Sequence, residues 1–383
     1  MANIIGGNGT GTLDSSLYLL NRNDTTGAGN AGDGEQIYIN VSNGNLVLSH
    51  LDEFLPSETN DFLTTRTYNS QGQFNSADGE GWTLSEFSRL SVITPGQIVV
   101  TNADGSQFTF NYDPSRGVYR SVDGAGAYET ISFNARSGTY SLTQSNQTVL
   151  TYDFSGRLLQ SKDTNGNTIT YSYDLLGHLT SIADNDGHKL SFIYQFGLLT
   201  KIQDETGAVF ASYQYAGNEL MSMTDRAGQT TRYTYNLDGT LRSITLPPTA
   251  GEAARTWIFT YSGGLNGPLL ASITDAMGNT TRFNYNFSRD LFGNILGGTT
   301  TVTDAAGDTT SYTFNSNSQI TDVRDAQGND TVYGYDANEN LTSAMDANGS
   351  AIVRSDSAYY RNLRQSYGIV DSSGQGKLVS QLT

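Results

Sequence analysis

The chain has 383 residues, with 42 Gly against 6 Pro, 23 Tyr and 16 Phe, a mixture that suits many short strands joined by tight turns. A net charge of −17 excludes a nucleic-acid surface and an anionic membrane surface as natural partners. Absence of Cys excludes disulfides, thiolate catalysis and Cys-ligated zinc.

Residues 1–34 read as a flexible Gly/Asn/Ser/Thr-rich leader around a short apolar patch, Ser16 to Leu20. Met1 to Gly7 has no basic region and no long apolar run, so it is not a signal peptide, and no run along the chain is long enough to span a bilayer. The Gly7–Gly11 run lacks the Lys-Ser/Thr of a phosphate loop. Residues 35–110 form an N-terminal β-segment. Its first hairpin is Gln36–Val41, the Ser42–Asn45 turn and Leu46–His50. Further strands follow at Thr64–Tyr68, Gly81–Ser85, Leu90–Val92, Gln97–Thr101 and Gln107–Tyr112.

Residues 111–355 repeat. Tyr152-Asp153 returns 21 residues later as Tyr173-Asp174, and Gly156 returns as Gly177. An Asp-x-x-Gly element recurs at Asp163/Gly166, Asp184/Gly187, Asp204/Gly207, Asp225/Gly228, Asp275/Gly278, Asp304/Gly307, Asp325/Gly328 and Asp346/Gly349. Aromatic pairs two apart run in phase with it: Tyr171/Tyr173, Phe192/Tyr194, Tyr213/Tyr215, Tyr233/Tyr235, Phe259/Tyr261, Phe283/Tyr285, Tyr312/Phe314 and Tyr333/Tyr335. Residues i and i+2 share a face of a strand, and no window shows a 3.6 period. One unit is therefore two strands of about six residues and two turns. Asp opens each turn by bonding backbone N–H groups, and Gly accepts positive φ. The expected fold is all-β, an antiparallel meander of about ten hairpins with aromatic rows on one face. Insertions are expected near 246–256 and 287–299, and 356–383 is a degenerate final repeat or tail.

Tyr152-Asp153-x-x-Gly156-Arg157-Leu158 and Tyr173-Asp174-x-x-Gly177-His178-Leu179 resemble the YD (Rhs) repeat over about residues 112–350. Val41–Leu46, Leu55-Pro56, Arg66–Ser70 and Gly81-Trp82 resemble the segment that precedes such repeats in bacterial Rhs proteins. The resemblance implies a curved, spiralling sheet forming a hollow shell, as in insecticidal toxin complexes and teneurins. In bacterial toxins such a shell encloses a C-terminal toxic domain. It implies a secreted or cell-surface protein whose partners are the rest of its own shell, a downstream toxin domain, or a glycan or cell-surface ligand. Asp is replaced in Tyr194-Gln195, Tyr235-Asn236 and Tyr285-Asn286, and Arg after the turn Gly survives only at Arg157. About ten repeats are too few to close a shell, so the chain reads as an N-terminal or truncated portion, without the residues for the family's self-cleavage.

The chemistry the residues allow is sparse. Asp184-Asn185-Asp186-Gly187 has the carboxylate density of a calcium loop but lacks the later bidentate Glu, and turn formation accounts for the Asp residues. His50, His178 and His188 are scattered, and His178 occupies the slot of Arg157 one repeat on. Asp52-Glu53 and Asp78/Glu80 are the nearest approach to a carboxylate pair for sugar hydrolysis, and they sit in or beside turns. No catalytic, cofactor or metal residue is assigned. Trp257 and Phe292, beside and within the two insertions, are the candidate ligand contacts. The reading is a non-catalytic structural protein of an Rhs-type shell in bacterial competition. The alternative is an adhesion module that binds carbohydrate or protein.

Overall fold

A computed structural model describes residues 3–7, 9–12, 35–55, 62–72, 75–121, 129–248, 251, 253–265, 267–335, 341–349, 351–355, 366–370 and 376–381. Every regular element among them is a strand. The first ten are β1 (Asn3–Ile5), β2 (Glu35–Asn40), β3 (Leu46–Leu55), β4 (Phe62–Asn69), β5 (Asn75–Ser76), β6 (Gly79–Glu80), β7 (Trp82–Leu84), β8 (Ser88–Thr94), β9 (Gln97–Asn102) and β10 (Gln107–Asp113).

Apart from the two-stranded β5-β6 pair, two bodies of sheet result. The N-terminal sheet has the order β1-β2-β3-β4-β7, with β1 parallel to β2 and the rest antiparallel. From β8 onward each strand pairs antiparallel with the next, down to Gly376–Gln381. This is the expected meander, and alternation explains it. In Thr230–Tyr235, Thr231 and Tyr233 are buried while Arg232 and Thr234 are exposed. Side chains on the buried face gain burial only when neighbouring hairpins add theirs, so no unit is stable alone.

Three expectations change. The stretch read as leader contributes β1, which adds to β2 by backbone pairing; residues 13–34 lie outside the described residues. The boundary at residue 110 falls inside β10, and hydrogen bonding starts the meander at Ser88. The second insertion is not a loop. It lengthens a hairpin, pairing Thr280–Arg289 with Ile295–Thr303 around an Asp290–Asn294 turn. Part of the first insertion is likewise strand, since Arg255 pairs with Leu246. Of the expected tail, Ser366–Val370 and Gly376–Gln381 continue the meander, and the other tail residues lie outside the description.

Successive turns alternate between two edges, here termed the Tyr edge (153–157, 174–178 and onward) and the Asp edge (163–167, 184–188 and onward). Both use one hydrogen-bond plan. Asp174 Oδ1 accepts the Leu176 and His178 N–H groups at 2.9 and 2.8 Å, as Asp163 Oδ1 accepts those of Asn165 and Asn167 at 2.9 and 2.8 Å. Asn236 keeps the backbone part, its N–H donating to the Thr240 carbonyl at 2.9 Å, while the Thr240 N–H is taken by Asp238 Oδ1 at 3.1 Å. Gln195 does not keep it. There the turn tightens to Phe196-Gly197, with positive φ at both residues (52° and 82°), the geometry of a two-residue hairpin loop. Thus a lost Asp changes the turn class without interrupting the meander.

A further link recurs 15 residues back. The hydroxyls of Tyr173, Tyr194, Tyr235, Tyr285 and Tyr335 donate to the carbonyls of Leu158, Leu179, Leu220, Leu270 and Ile320, at 2.7 to 3.0 Å. Each acceptor follows the preceding Tyr-edge turn. The phenol thus ties one unit to the previous one, which explains why the motif uses Tyr where Phe would pack equally well. Tyr285→Phe should lower stability by about 1 kcal/mol, plus the cost of orphaning the Leu270 carbonyl. Urea denaturation checks this, and an unchanged midpoint would refute the link.

The meander also meets its own beginning. Arg89 of β8 bridges Arg157, and the Leu90 N–H donates to the Gly156 carbonyl at 2.9 Å. The start of β8 therefore lies against a Tyr-edge turn, which brings the first strand of the meander back to the beginning of the Leu158–Lys162 strand.

Candidate functional site

The chain's most specific constellation is the seam between the N-terminal sheet and the aromatic face of the meander. The segment follows the Tyr edge in reverse chain order. Leu199 N–H donates to the Ala77 carbonyl at 2.7 Å, Glu80 N–H to the Asn218 carbonyl at 2.9 Å, and Leu241 N–H to the Tyr68 hydroxyl at 2.9 Å. Leu270 N–H then donates to the Gly44 carbonyl at 3.0 Å, and the Thr300 hydroxyl to the Val41 carbonyl at 2.5 Å. Side chains of both bodies form one hydrophobic cluster, including Ile37, Leu46, Trp82, Phe210, Tyr233 and Phe259.

At its centre is a buried polar knot. The Arg66 guanidinium lies 2.8 Å from Asp52 Oδ1 and 2.8 Å from the Tyr233 hydroxyl. Tyr213 donates to Asp52 Oδ2 at 2.6 Å. Arg66 also lies over the rings of Trp82, Tyr213 and Tyr233, at 4.8, 5.6 and 5.1 Å from their centroids. Trp82 Nε1 donates to the Tyr235 hydroxyl at 2.9 Å. Each of these bonds joins two elements, so the knot fixes register between the two bodies. Burial and the Asp52 carboxylate hold the Tyr213 phenol far above its ordinary range.

Residues of both bodies also line a cavity of about 480 Å³ whose wall includes Glu86, Arg89, Arg157, His178, Tyr173 and Tyr194. Glu86 accepts from Thr64 of β4 at 3.0 Å, and burial raises its pKa to about 7. The sign follows from the raised value. The unfolded chain ionises near 4.5 while the folded carboxyl holds its proton to about 7, so stability falls as pH rises between them. The loss reaches at most about 3 kcal/mol. Glu129, also raised by burial to about 7, adds a slope of the same sign. Denaturation midpoints should therefore drop from pH 5 to pH 8, and Glu86→Gln should flatten but not remove the drop. An unchanged slope in that variant would refute the assignment.

Asp52 belongs to the knot and is unavailable as half of a hydrolytic pair. The Asp78 carbonyl accepts from the Tyr215 hydroxyl. His178 and His188 each pair through Nδ1 with the Asp that opens their own turn, at 2.9 Å. Asp184 Oδ1 accepts three N–H groups of its turn, from residues 186, 187 and 188, so that carboxylate serves the backbone. Among the described residues, no group of three or more His, Cys, Asp or Glu is placed to hold a metal. The Asn294 and Asn329 side chains, then backbone N–H groups, hold Asp290 and Asp325 below the usual carboxylate range.

The glycines singled out along the Asp edge are not brought together into a site. Gly207, Gly228, Gly278, Gly307 and Gly328 are exposed and Gly349 is half-buried, each in its own turn along the edge. Their N–H groups donate to the carbonyls of Asp204, Asp225, Asp275, Asp304, Asp325 and Asp346, at 2.9 to 3.2 Å. All six have φ between 78° and 93°, so the turn conformation accounts for them. Close packing does not, because a Cβ at Gly207, Gly228, Gly278 or Gly307 would meet nothing within 4 Å, and at Gly328 only the Arg324 side chain at 3.6 Å or more. These positions therefore shape the edge individually and line no common surface with the seam.

Trp257 corrects a further expectation: it is buried in the shared cluster opposite Ile244, so its ring is not presented to a ligand. Phe292 sits exposed at a turn tip on the Tyr edge. Sequence reasoning marked the Arg66–Ser70 and Gly81-Trp82 motifs but not their meeting with Tyr213 and Tyr233, because nothing local encodes a contact 167 residues away.

Three family models match in tandem: Domain of unknown function (DUF6531) at residues 38–110, RHS Repeat at 152–189 and Teneurin YD-shell at 266–357. The RHS Repeat and Teneurin YD-shell matches support an Rhs/YD-repeat protein. Solved structures similar to it include TcdB2-TccC3-Cdc42, with 12% identity, a TM-score of 0.37, and 88% of this chain and 23% of that chain covered. TcdB2-TccC3 without its hypervariable C-terminal region matches at 13% identity and a TM-score of 0.37, covering 96% and 23%. The Photorhabdus luminescens Tc holotoxin pore matches at 13% identity and a TM-score of 0.32, covering 88% and 23%. The chain thus spans about a quarter of the length of these structures. No curated protein matches it. Among the described residues no helix is long and apolar enough to cross a membrane, which says nothing of strands.

Proposed function

We propose that this protein is a non-catalytic wall segment of an Rhs-type shell that encapsulates or delivers a toxin in bacterial competition, at the cell surface or after secretion. The observation that carries the reading is the seam. A sheet of five strands is fixed along one edge of a curving meander by the bonds of Tyr213 and Tyr233 to its buried Asp52–Arg66 pair and by backbone bonds, as a part that closes one side of a container would be. The buried groups of the knot serve docking, and the turn carboxylates serve turns, which leaves the chemistry to whatever is enclosed. The partners on this reading are further shell repeats and a toxin domain. The test is protease protection. The native gene product, expressed with everything encoded downstream of residue 383, is treated with a nonspecific protease before and after mild denaturation. A C-terminal segment that resists digestion until the wall is opened supports the role. Immediate digestion of that segment, or a gene that ends without further repeats or toxin, would overturn it.

A further inference from the structure

The two edges of the meander share one turn design but carry different tips. On the Tyr edge the tips include Phe154, Leu175, Leu176, Phe196, Leu291 and Phe292, each at least 74% exposed, and the row is continued by Leu237 and Leu265. On the Asp edge the matching positions are Thr164-Asn165, Asn185-Asp186, Glu205-Thr206 and Arg226-Ala227. Among the described residues of that edge, Met277 is the one large apolar tip. Turn geometry does not impose this difference, since both edges close with the same Asp-to-backbone bonds. The seam does not explain it either, because the N-terminal sheet packs along this edge and leaves the tips in solvent. A row of large apolar tips confined to one edge points to a contact made along that edge.

We propose that the Tyr edge is a membrane contact, at which Phe154, Leu175, Leu176 and Phe196 enter the headgroup–acyl boundary of a zwitterionic bilayer. The spacing of the tips favours lipid over a second protein copy. Neighbouring tips on one edge are two strand spacings apart, about 10 Å, with polar turn residues between them. A stable dimer needs about 800 Å² of continuous surface from each partner, whereas acyl chains flow around separate side chains. The 174–178 turn, unlike the tighter Phe196-Gly197 turn, has its own N–H groups satisfied internally. In 174–178 the Leu176 and His178 N–H groups are taken by Asp174 Oδ1, and the Gly177 N–H by the Asp174 carbonyl at 3.1 Å. The carboxylates beside these tips are paired, Asp153 with Arg157 at 2.7 Å and Asp174 with His178 at 2.9 Å. The net charge of −17 opposes anionic headgroups and leaves zwitterionic lipid as the surface that fits. The contact does not depend on whether the meander encloses a cargo.

Flotation of the full chain with phosphatidylcholine vesicles tests the proposal. Wild type should float, and a Leu175→Ser/Leu176→Ser/Phe196→Ser variant should partition at least about tenfold less. Met277→Ser on the opposite edge should float as wild type does, and circular dichroism melts should show both variants folded. Replacing a fifth of the lipid by phosphatidylserine should weaken binding. Wild type that stays at the bottom of the gradient overturns the proposal, as does a triple variant that floats unchanged. A concentration-dependent dimer that the triple variant abolishes, without flotation, would assign the edge to a second copy instead.

Discussion

Arg66→Ala is expected to cost about 3–5 kcal/mol, the range for removing one partner of a buried ion pair. Arg66 and Asp52 are both fully enclosed, with side chains 1% and 0% exposed, so the Asp52 carboxylate would be left without its guanidinium inside the protein. Tyr213 would still donate to that carboxylate, and His50 Nε2 stands 3.8 Å away, so the charge is not wholly abandoned. Tyr233, in contrast, loses the guanidinium it contacts, and three aromatic rings lose the cation packed against them. The effect should also be localised. The N-terminal sheet is held to the meander through this knot, so limited proteolysis should cut within residues 35–87 first. A double variant, Arg66→Met with Asp52→Leu, should recover part of the loss, since an apolar pair of similar volume needs no desolvation. Recovery stays incomplete because the Tyr213 and Tyr233 hydroxyls are then left inside the seam without those partners. A urea midpoint for Arg66→Ala equivalent to a loss under about 1 kcal/mol would show that the knot does not hold the two bodies together.

How much of this was legible in the amino acids follows from the range of each interaction. The turns were, because Asp163, Gly166 and the bonds between them lie within five residues, and a 21-residue period multiplies the signal. The aromatic face was, because Tyr171 and Tyr173 are two apart on one strand. The extended hairpin at 280–303 was not. Gly297-Gly298 reads as a loop, yet Gly297 is in a strand, at φ 132°, because a Cβ there would come within 2.8 Å of the Phe314 carbonyl. Glycine there permits close approach of two strands. β1 was missed because three residues, Asn3 to Ile5, are too few to show alternation. The seam and the closing contact at Arg157 were missed for a deeper reason. They join segments far apart in sequence, and only the curvature accumulated over many hairpins decides which meet. The role of Tyr hydroxyls was half-legible: the periodic Tyr was visible, its acceptor 15 residues back was not.

Two glycines of one repeat separate the closing contact from the turn that bears it. Gly156 and Gly166 have φ of 81° and 91°, so Ala at either position is strained by a similar amount, about 1–2 kcal/mol. Their surroundings differ. A Cβ at Gly166 meets nothing within 4 Å. A Cβ at Gly156 would stand 1.8 Å from the Leu90 carbonyl oxygen and 2.9 Å from its carbon, and both are backbone atoms of β8 that no rotamer change can move. Gly156→Ala must therefore either push β8 away, breaking the Leu90-to-Gly156 bond and the Arg89–Arg157 bridge, or unfold the turn. Its cost should exceed that of Gly166→Ala by about 2 kcal/mol or more, the sum of a lost backbone bond and displaced packing. Amide hydrogen exchange locates the damage. In Gly156→Ala, protection should fall at Leu90 as well as in residues 153–157, while in Gly166→Ala it should fall only around 163–167. Equal costs in the two variants, with Leu90 protected in both, would mean that β8 does not close on the Arg157 turn in solution. The expected inequality instead makes the contact of Gly156 with Leu90 the point where the ribbon of hairpins returns to its first strand.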